Sequence, residues 1–261
     1  MIDLNDTRTR RHAASDEITA RIDKVISQEQ RLEQIKWFVE QIAKTPPPQE
    51  ERWGRSISAS GVGDECARRV QLNAWPTFHP DQLPPKRAPL TDKDRAVFER
   101  GHLTEAQMGV WLKDAGFKLS VATEDGAQHG FTTAGGQIKG YADGVFQDAP
   151  HLWEHKTLGN TSWRKAWNHG VAKAHPKYDM QVHLLMPYME ADATLFTILN
   201  ADTGALYAEL APCDPNKAQA ASDRAVFLLQ ATRAGDLLPK AAASADAFPC
   251  QWCRFKAECW G

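Results

Sequence analysis

Gly140-Tyr-Ala-Asp143-Gly-Val-Phe146, and then His151-Leu-Trp-Glu154-His-Lys156, are two apolar-rich runs separated by the turn signal Asp148-Ala149-Pro150. Runs of this kind predict two strands, over Ile138 to Phe146 and Leu152 to Thr157. Side chains alternate along a strand, so Glu154 and Lys156 share one face and His155 takes the other. A hairpin between the runs sets Asp143 beside Glu154. Two carboxylates meeting there repel, and a hard divalent cation relieves the repulsion while taking oxygen ligands. The carbonyl oxygen of His155 is a further oxygen donor at the same place. An ammonium at the edge, Lys156, suits orientation of an attacking water and stabilisation of charge developing on a phosphoryl group. The flanking Val145, Phe146, Leu152 and Trp153 imply buried strands, where unpaired charge is costly. Gly140 and Gly144 bracket the acid and permit close backbone approach. Spacing alone also allows a plainer arrangement, with Asp143 in a turn and Glu154 and Lys156 as a surface pair.

Outward from these strands the chain alternates helix and strand signals. Residues 16–44 carry apolar positions at spacings near three and four and read as one helix, ended by Thr45-Pro46-Pro47-Pro48. A helix is expected from Ser58 to Ala74, with Ser58 or Ser60 as its cap, and a proline-rich loop from Trp75 to Pro89. Asp92 to Ala115 is helical and stopped by Gly116. Phe117, Leu119 and Val121 alternate as a strand. Helices follow over Ser162–Ala172 and Lys177–Met189, then strands over Thr194–Asn200 and Ala205–Ala211 joined by Asp202-Thr203-Gly204. A last helix spans Pro215 to Ala234. The order predicts an α/β fold with a central mixed sheet flanked by helices. The expected division is an N-terminal helical arm with a proline-rich linker over residues 1–50, and one main domain over 51–261.

The 261 residues suffice for a sizeable core. No apolar run reaches the roughly 18 residues of a membrane span, and Met1 to Arg11 lacks the apolar stretch of a secretory signal. A cytoplasmic protein without membrane attachment is the expectation. A net charge of −2 neither advertises nor forbids nucleic-acid binding. Of five cysteines, Cys250, Cys253 and Cys259 crowd the C-terminal tail and Cys66 stands far upstream. Thiols so clustered in a reducing compartment point to a metal site, zinc or an iron–sulfur cluster. Closing a loop of about 190 residues in this way would remove much entropy from the unfolded chain. Cys213 is read as a small buried residue.

Together these motifs resemble the RecB, lambda-exonuclease and YqaJ branch of the PD-(D/E)xK nuclease superfamily. The resemblance implies a restriction-endonuclease-like core and a catalytic centre of Asp143, Glu154 and Lys156. In that branch a preceding helix carries Gly-x-x-x-(Glu or His), matched here by Gly101-His-Leu-Thr-Glu105, so Glu105 is implied as a further metal ligand, with His102 as the alternative. A later helix carries a glutamine near a tyrosine, matched by Tyr178-Asp-Met-Gln181, which implies that Gln181 contacts water, Lys156 or a phosphate. The implied metal ligands are Glu105, Asp143, Glu154 and the carbonyl of His155, with Mg²⁺ or Mn²⁺ as the ion. Cys66, with Cys250-x2-Cys253-x5-Cys259, resembles the iron–sulfur pattern of CRISPR-associated adaptation nucleases and AddB-type nucleases. In Cys66-Ala67-Arg68-Arg69, alanine stands where their motif has proline. A [4Fe–4S] cluster is thereby implied, with zinc as the lesser alternative.

The resemblance further implies DNA as substrate, hydrolysis of phosphodiester bonds in an exonuclease or structure-dependent mode, and a role in end processing or recombination of phage or mobile-element type. A single-strand annealing or recombination protein is an implied partner, and the oligomeric state stays open. A non-catalytic iron–sulfur DNA-binding protein on the same fold is the alternative. Arg55, Ser58, Ser60, Arg68 and Arg69 are candidates for gripping DNA phosphates, with Tyr178 beside them as a DNA contact. Trp163 and Trp167, four apart among basic residues, are placed in the core in preference to base stacking.

Overall fold

The computed structural model describes residues 7–45 and 56–261. The proline run 46–48, the expected domain boundary at 50/51 and Arg55 lie outside the described residues. Ten helices, α1 (Thr7–Asp23), α2 (Gln28–Lys44), α3 (Ala59–Val62), α4 (Ala67–Phe78), α5 (Asp92–Asp114), α6 (Asn160–His169), α7 (Val171–Ala174), α8 (Pro176–Tyr188), α9 (Pro215–Ala234) and α10 (Lys256–Trp260), are found among them. The strands are β1 (Ile57–Ser58), β2 (Leu119–Ser120), β3 (Gly130–Thr133), β4 (Ile138–Tyr141), β5 (Gly144–Phe146), β6 (His151–Leu158), β7 (Ala193–Asn200) and β8 (Leu206–Pro212).

Five strands form a mixed sheet in the order β2-β5-β6-β7-β8, in which only β6 and β7 run parallel. Every residue of β7 is buried, as a central strand covered on both faces requires. One face of the sheet packs on Ile22 of α1, Ile35 of α2 and Met108, Trp111 and Leu112 of α5. The other packs on α3, α4, α8 and α9 through residues such as Val62, Val182, Leu185 and Leu228. A second sheet of three strands, β1-β4-β3, lies on that side. The mixed sheet between helical layers agrees with the sequence reading.

The differences are local. The run 138–146 is two strands, because the chain leaves the small sheet after Tyr141 and enters the large one at Gly144. Residues 16–44 are two helices. Ser27 and Gln30 form a reciprocal capping box that starts α2 afresh, so the apolar spacing continues across a break. These helices are packed tightly on the rest. Buried Arg31 donates to the carbonyl of Gly204 at 2.9 Å and to Asp23 at 2.7 Å. Gly204, at φ +71°, brings its turn so close that a Cβ would stand 2.4 Å from the carbonyl oxygen of Gln28. Ser15 accepts the Ala208 N–H at 3.0 Å, satisfying a donor on the outer edge of β8. Ser58 to Ala74 splits into β1, α3 and α4 around Gly63-Asp64, and Ser58 caps α3 by accepting from the Gly61 N–H.

Candidate active site

The switch between sheets decides where the acids stand. Asp143 sits in the two-residue step between β4 and β5, where no ladder bond claims it. Its Oδ2 accepts the His155 N–H at 2.7 Å, just beyond the last β5–β6 pair at Gly144 and Trp153. The antiparallel β5–β6 hairpin therefore juxtaposes Asp143 with β6 as expected, with Asp143 one residue outside the ladder, in the step from β4. On β6, Glu154 is 1% exposed. Its Oε1 accepts hydrogen bonds from Lys156 Nζ and, at 2.7 Å, from Gln181 Nε2 on α8. The ring of Tyr178 lies 5.2 Å from Lys156 Nζ.

Glu105, Asp143, Glu154, Lys156 and Gln181 line one cleft of about 630 Å³. Glu105 arrives on α5, which a chain of hydroxyl contacts ties to β6. Thr197 Oγ1 meets His155 Nδ1 at 2.9 Å, His155 Nε2 meets Thr157 Oγ1 at 3.1 Å, and Thr157 meets Thr104 Oγ1 at 2.6 Å. Thus the His155 side chain, pointing away from Glu154, fixes the helix that carries the third acid. Burial, with Lys156 nearby, pushes the His155 imidazole down to about 3, so it works as a neutral strut.

The electrostatics of the cleft are those of crowded acids. Burial, then repulsion from Asp143, pushes Glu154 up to about 7 against the pull of Lys156 and Gln181. Burial likewise lifts Asp143 to about 6; Lys156 opposes the shift, Glu105 adds to it, and the His155 N–H opposes it. Glu105 is also raised, first by burial. Burial pulls Lys156 down, but Glu154 and Asp143 overcome that and hold it well above its ordinary value. Three acids thus crowd one buried ammonium, Lys156, while Lys113 and Lys139 stand elsewhere on the cleft wall. Glu154 Oε2 is buried with no hydrogen-bond partner among the described residues, which is costly for a carboxylate oxygen unless something else binds it. That orphaned oxygen, in a set of hard oxygen donors, fits a divalent cation. Among the described residues no group of three or more His, Cys, Asp or Glu side chains is already arranged to hold a metal ion. Here Glu154 turns its other oxygen to Lys156 and Gln181, and Asp143 turns one to the backbone.

Other sequence candidates fall in different places. Ser58 and Ser60 line the cleft, as does His102. Arg68 and Arg69 do not. Arg68 donates to the Leu238 carbonyl, and Arg69 grips Asp64 at 2.6 Å with Lys177 at 3.4 Å on the same carboxylate. Burial works to raise Asp64, yet Arg69, the Cys66 N–H and Lys177 together more than offset it and hold the carboxyl below its usual range. Trp163 and Trp167 stack at 5.4 Å, with Trp163 donating to the Ile198 carbonyl, so they belong to the core. Cys66, Cys250, Cys253 and Cys259 line a second, small pocket together with Arg68 and Arg69. Burial raises the Cys253 and Cys259 thiols, while Arg69 and Arg68 respectively oppose the rise. Cys213 packs against the main core, apart from the four. Sequence reading missed Lys113, Lys139 and Tyr141, which also line the first cleft. Lys139 and Tyr141 sit in the same run as Asp143 at strand spacing, which was the available signal.

No helix among the described residues is long and apolar enough to cross a membrane. No family model and no curated protein matches the chain. Among solved structures, the chain is similar to SSO0001, at 17% identity and a TM-score of 0.45, covering 85% of this chain and 92% of that one. It is also similar to an alkaline exonuclease, LHK-Exo, from Laribacter hongkongensis, at 15% identity and a TM-score of 0.49, covering 77% of this chain and 93% of the other. The complex of LHK-Exo with dAMP gives 15% identity, a TM-score of 0.47 and the same coverage.

Proposed function

We propose that the chain is a divalent-metal-dependent DNA nuclease, with Glu105, Asp143, Glu154 and the carbonyl oxygen of His155 as the ligands of Mg²⁺ or Mn²⁺. The observation that carries this reading is the convergence of three carboxylates and a lysine in one cleft, with a buried oxygen of Glu154 left unpartnered. Neighbouring peptide groups of a strand point to alternate edges, so the His155 carbonyl faces the same edge as the N–H that Asp143 accepts. Bound there, the ion would supply Lewis-acid polarisation of a phosphoryl oxygen and acidify a water. Lys156, held cationic by its acidic neighbours, places positive charge where an oxyanion develops. Gln181 fixes the rotamer of Glu154, and Tyr178 walls the lysine. Removal of nucleotides from DNA ends is the mode that the family resemblance implies, with structure-dependent cleavage as the alternative.

The four-cysteine pocket is proposed as a second, structural centre, carrying [4Fe–4S] or, in its place, zinc. Four thiols from residues 66 and 250–259 meeting at one pocket support it. Residues 51–261 are then one catalytic domain stapled at its ends, with 1–50 as an accessory arm.

The test is incubation of linear duplex and single-stranded DNA with Mn²⁺, comparing wild type with Asp143→Ala and Lys156→Ala. Cleavage by wild type, a loss of about 10²–10³-fold in each variant, and abolition by chelator are expected. No cleavage by any protein, with DNA binding intact, would leave a binding protein in place of the enzyme.

A further inference from the structure

β4 sits in the middle of the small sheet and presents two different faces. Ile138 and Gly140 point inward, and a Cβ on Gly140 would strike Phe131, Leu185 and Ala59. Lys139 and Tyr141 point outward and both line the cleft. The register sets Ser58 on one side of Lys139 and Thr132 on the other, so a hydroxyl, an ammonium and a hydroxyl form a row across the three strands. Lys139 has no acidic partner among the described residues, unlike Lys156 and Lys177.

Tyr141 is 47% exposed. Its register partner is Gly130, where an added Cβ would stand 2.6 Å from the Tyr141 ring. One side of the ring therefore rests on bare backbone. The ring has no aromatic partner among the described residues. Scattered exposed aromatics are ordinary, but this one stands in the cleft wall two residues before Asp143. Tyr141 stands two residues and Lys139 four residues before Asp143, on the strand that leads into the step carrying that acid.

From this placement we infer that the outer face of β4 is a track for single-stranded nucleic acid, with a base stacked on Tyr141 and a phosphate held at Lys139 between Ser58 and Thr132. The inference rests on the proposed nuclease reading and names its substrate class, a single strand or a frayed end led past Lys139 and Tyr141 to the acids. A π-face accepts any base, so the track reads strandedness and not sequence. A paired duplex end keeps its bases stacked on each other and offers no free face to the ring.

The experiment is binding of a single-stranded oligonucleotide carrying 2-aminopurine, with Ca²⁺ as the cation, to wild type, Tyr141→Phe, Tyr141→Ala and Lys139→Ala. Melting temperatures confirm that the variants fold. Stacking on wild type and Tyr141→Phe quenches the probe, and Tyr141→Ala loses the quench and about tenfold in affinity. Lys139→Ala keeps the quench and lowers the slope of log affinity against log salt by about 0.7. Duplex affinity changes little in all three variants. Unaltered single-strand binding and quenching by Tyr141→Ala overturn the track, even where Mn²⁺-dependent cleavage persists. A Tyr141-dependent quench without any cleavage by wild type upholds the track and removes the nuclease.

Discussion

The acidic cleft and the four-cysteine pocket are both clusters of groups that gain little from one another, yet they strain the fold in opposite ways. In the cleft, Asp143 and Glu154 are pushed up to about 6 and about 7, so near neutrality the metal-free protein carries carboxylates it would hold better protonated. In the pocket, burial raises the Cys253 and Cys259 thiols, which favours their neutral, nearly apolar form without a ligand. A cation arriving at the first relieves existing repulsion. A metal at the second, as proposed, would have to displace protons, and would offset this by joining residue 66 to residues 250–259. If the two proposed roles hold, the cleft built for chemistry costs stability, whereas the pocket built as a staple supplies it.

The largest contrast should come from single substitutions in each cluster. Cys250→Ser should abolish metal content at the pocket and lower the melting temperature by about 10 °C or more, while Cys213→Ser leaves both nearly unchanged. Elemental analysis and thermal melts check this, and iron or zinc in the wild-type protein names the occupant. A Cys250→Ser protein with full metal content would remove the staple.

The opposite sign is expected for Asp143→Asn. The folded value of Asp143, about 6, lies above its ordinary 3.8, so the stabilisation that protonation gives is complete below about pH 3.8 and is lost as pH rises through 6. Ionised Asp143 thus destabilises the metal-free protein at about pH 8, and the amide removes that cost while still accepting the His155 N–H. A rise of about 4 °C in melting temperature at pH 8 is expected, shrinking toward zero as the pH falls below about 5. Melts in chelator across pH decide it; a lowered melting temperature at pH 8 would show that the acids are not in conflict.

A smaller effect tests the strut. Thr104→Val breaks the hydroxyl chain through Thr157 and His155 that ties α5 to β6. About 1 kcal/mol of stability should go. The cleavage rate should fall more than stability implies, because Glu105 loses its register against β6. Equal rates at matched temperature would make the chain purely structural.

Much of this was legible in the sequence because it depends on short-range periodicity. Alternation put Glu154 and Lys156 on one face, and ten intervening residues returned the chain from Asp143 to β6. Helical spacing placed Tyr178 and Gln181 together. What escaped were events set by tertiary contacts. The step from one sheet to another at Ala142-Asp143 looks like any strand interior, since both flanks are apolar. Arg68 and Arg69 resembled phosphate ligands, but Asp64, a few residues upstream, claims Arg69, and the Leu238 carbonyl claims Arg68. Lys139 and Tyr141 matched no motif; their strand spacing ahead of Asp143 was the one trace, and the folding of β4 between β1 and β3 sets them in the cleft wall.

The central proposal, a shared cation among Glu105, Asp143 and Glu154, is tested most directly by calorimetric titration of Mn²⁺ into wild type, Asp143→Asn and Cys250→Ser. Wild type and Cys250→Ser should bind at the cleft alike, and Asp143→Asn should lose at least about tenfold in affinity. Equal Mn²⁺ affinity in wild type and Asp143→Asn, or no binding by either, would contradict it.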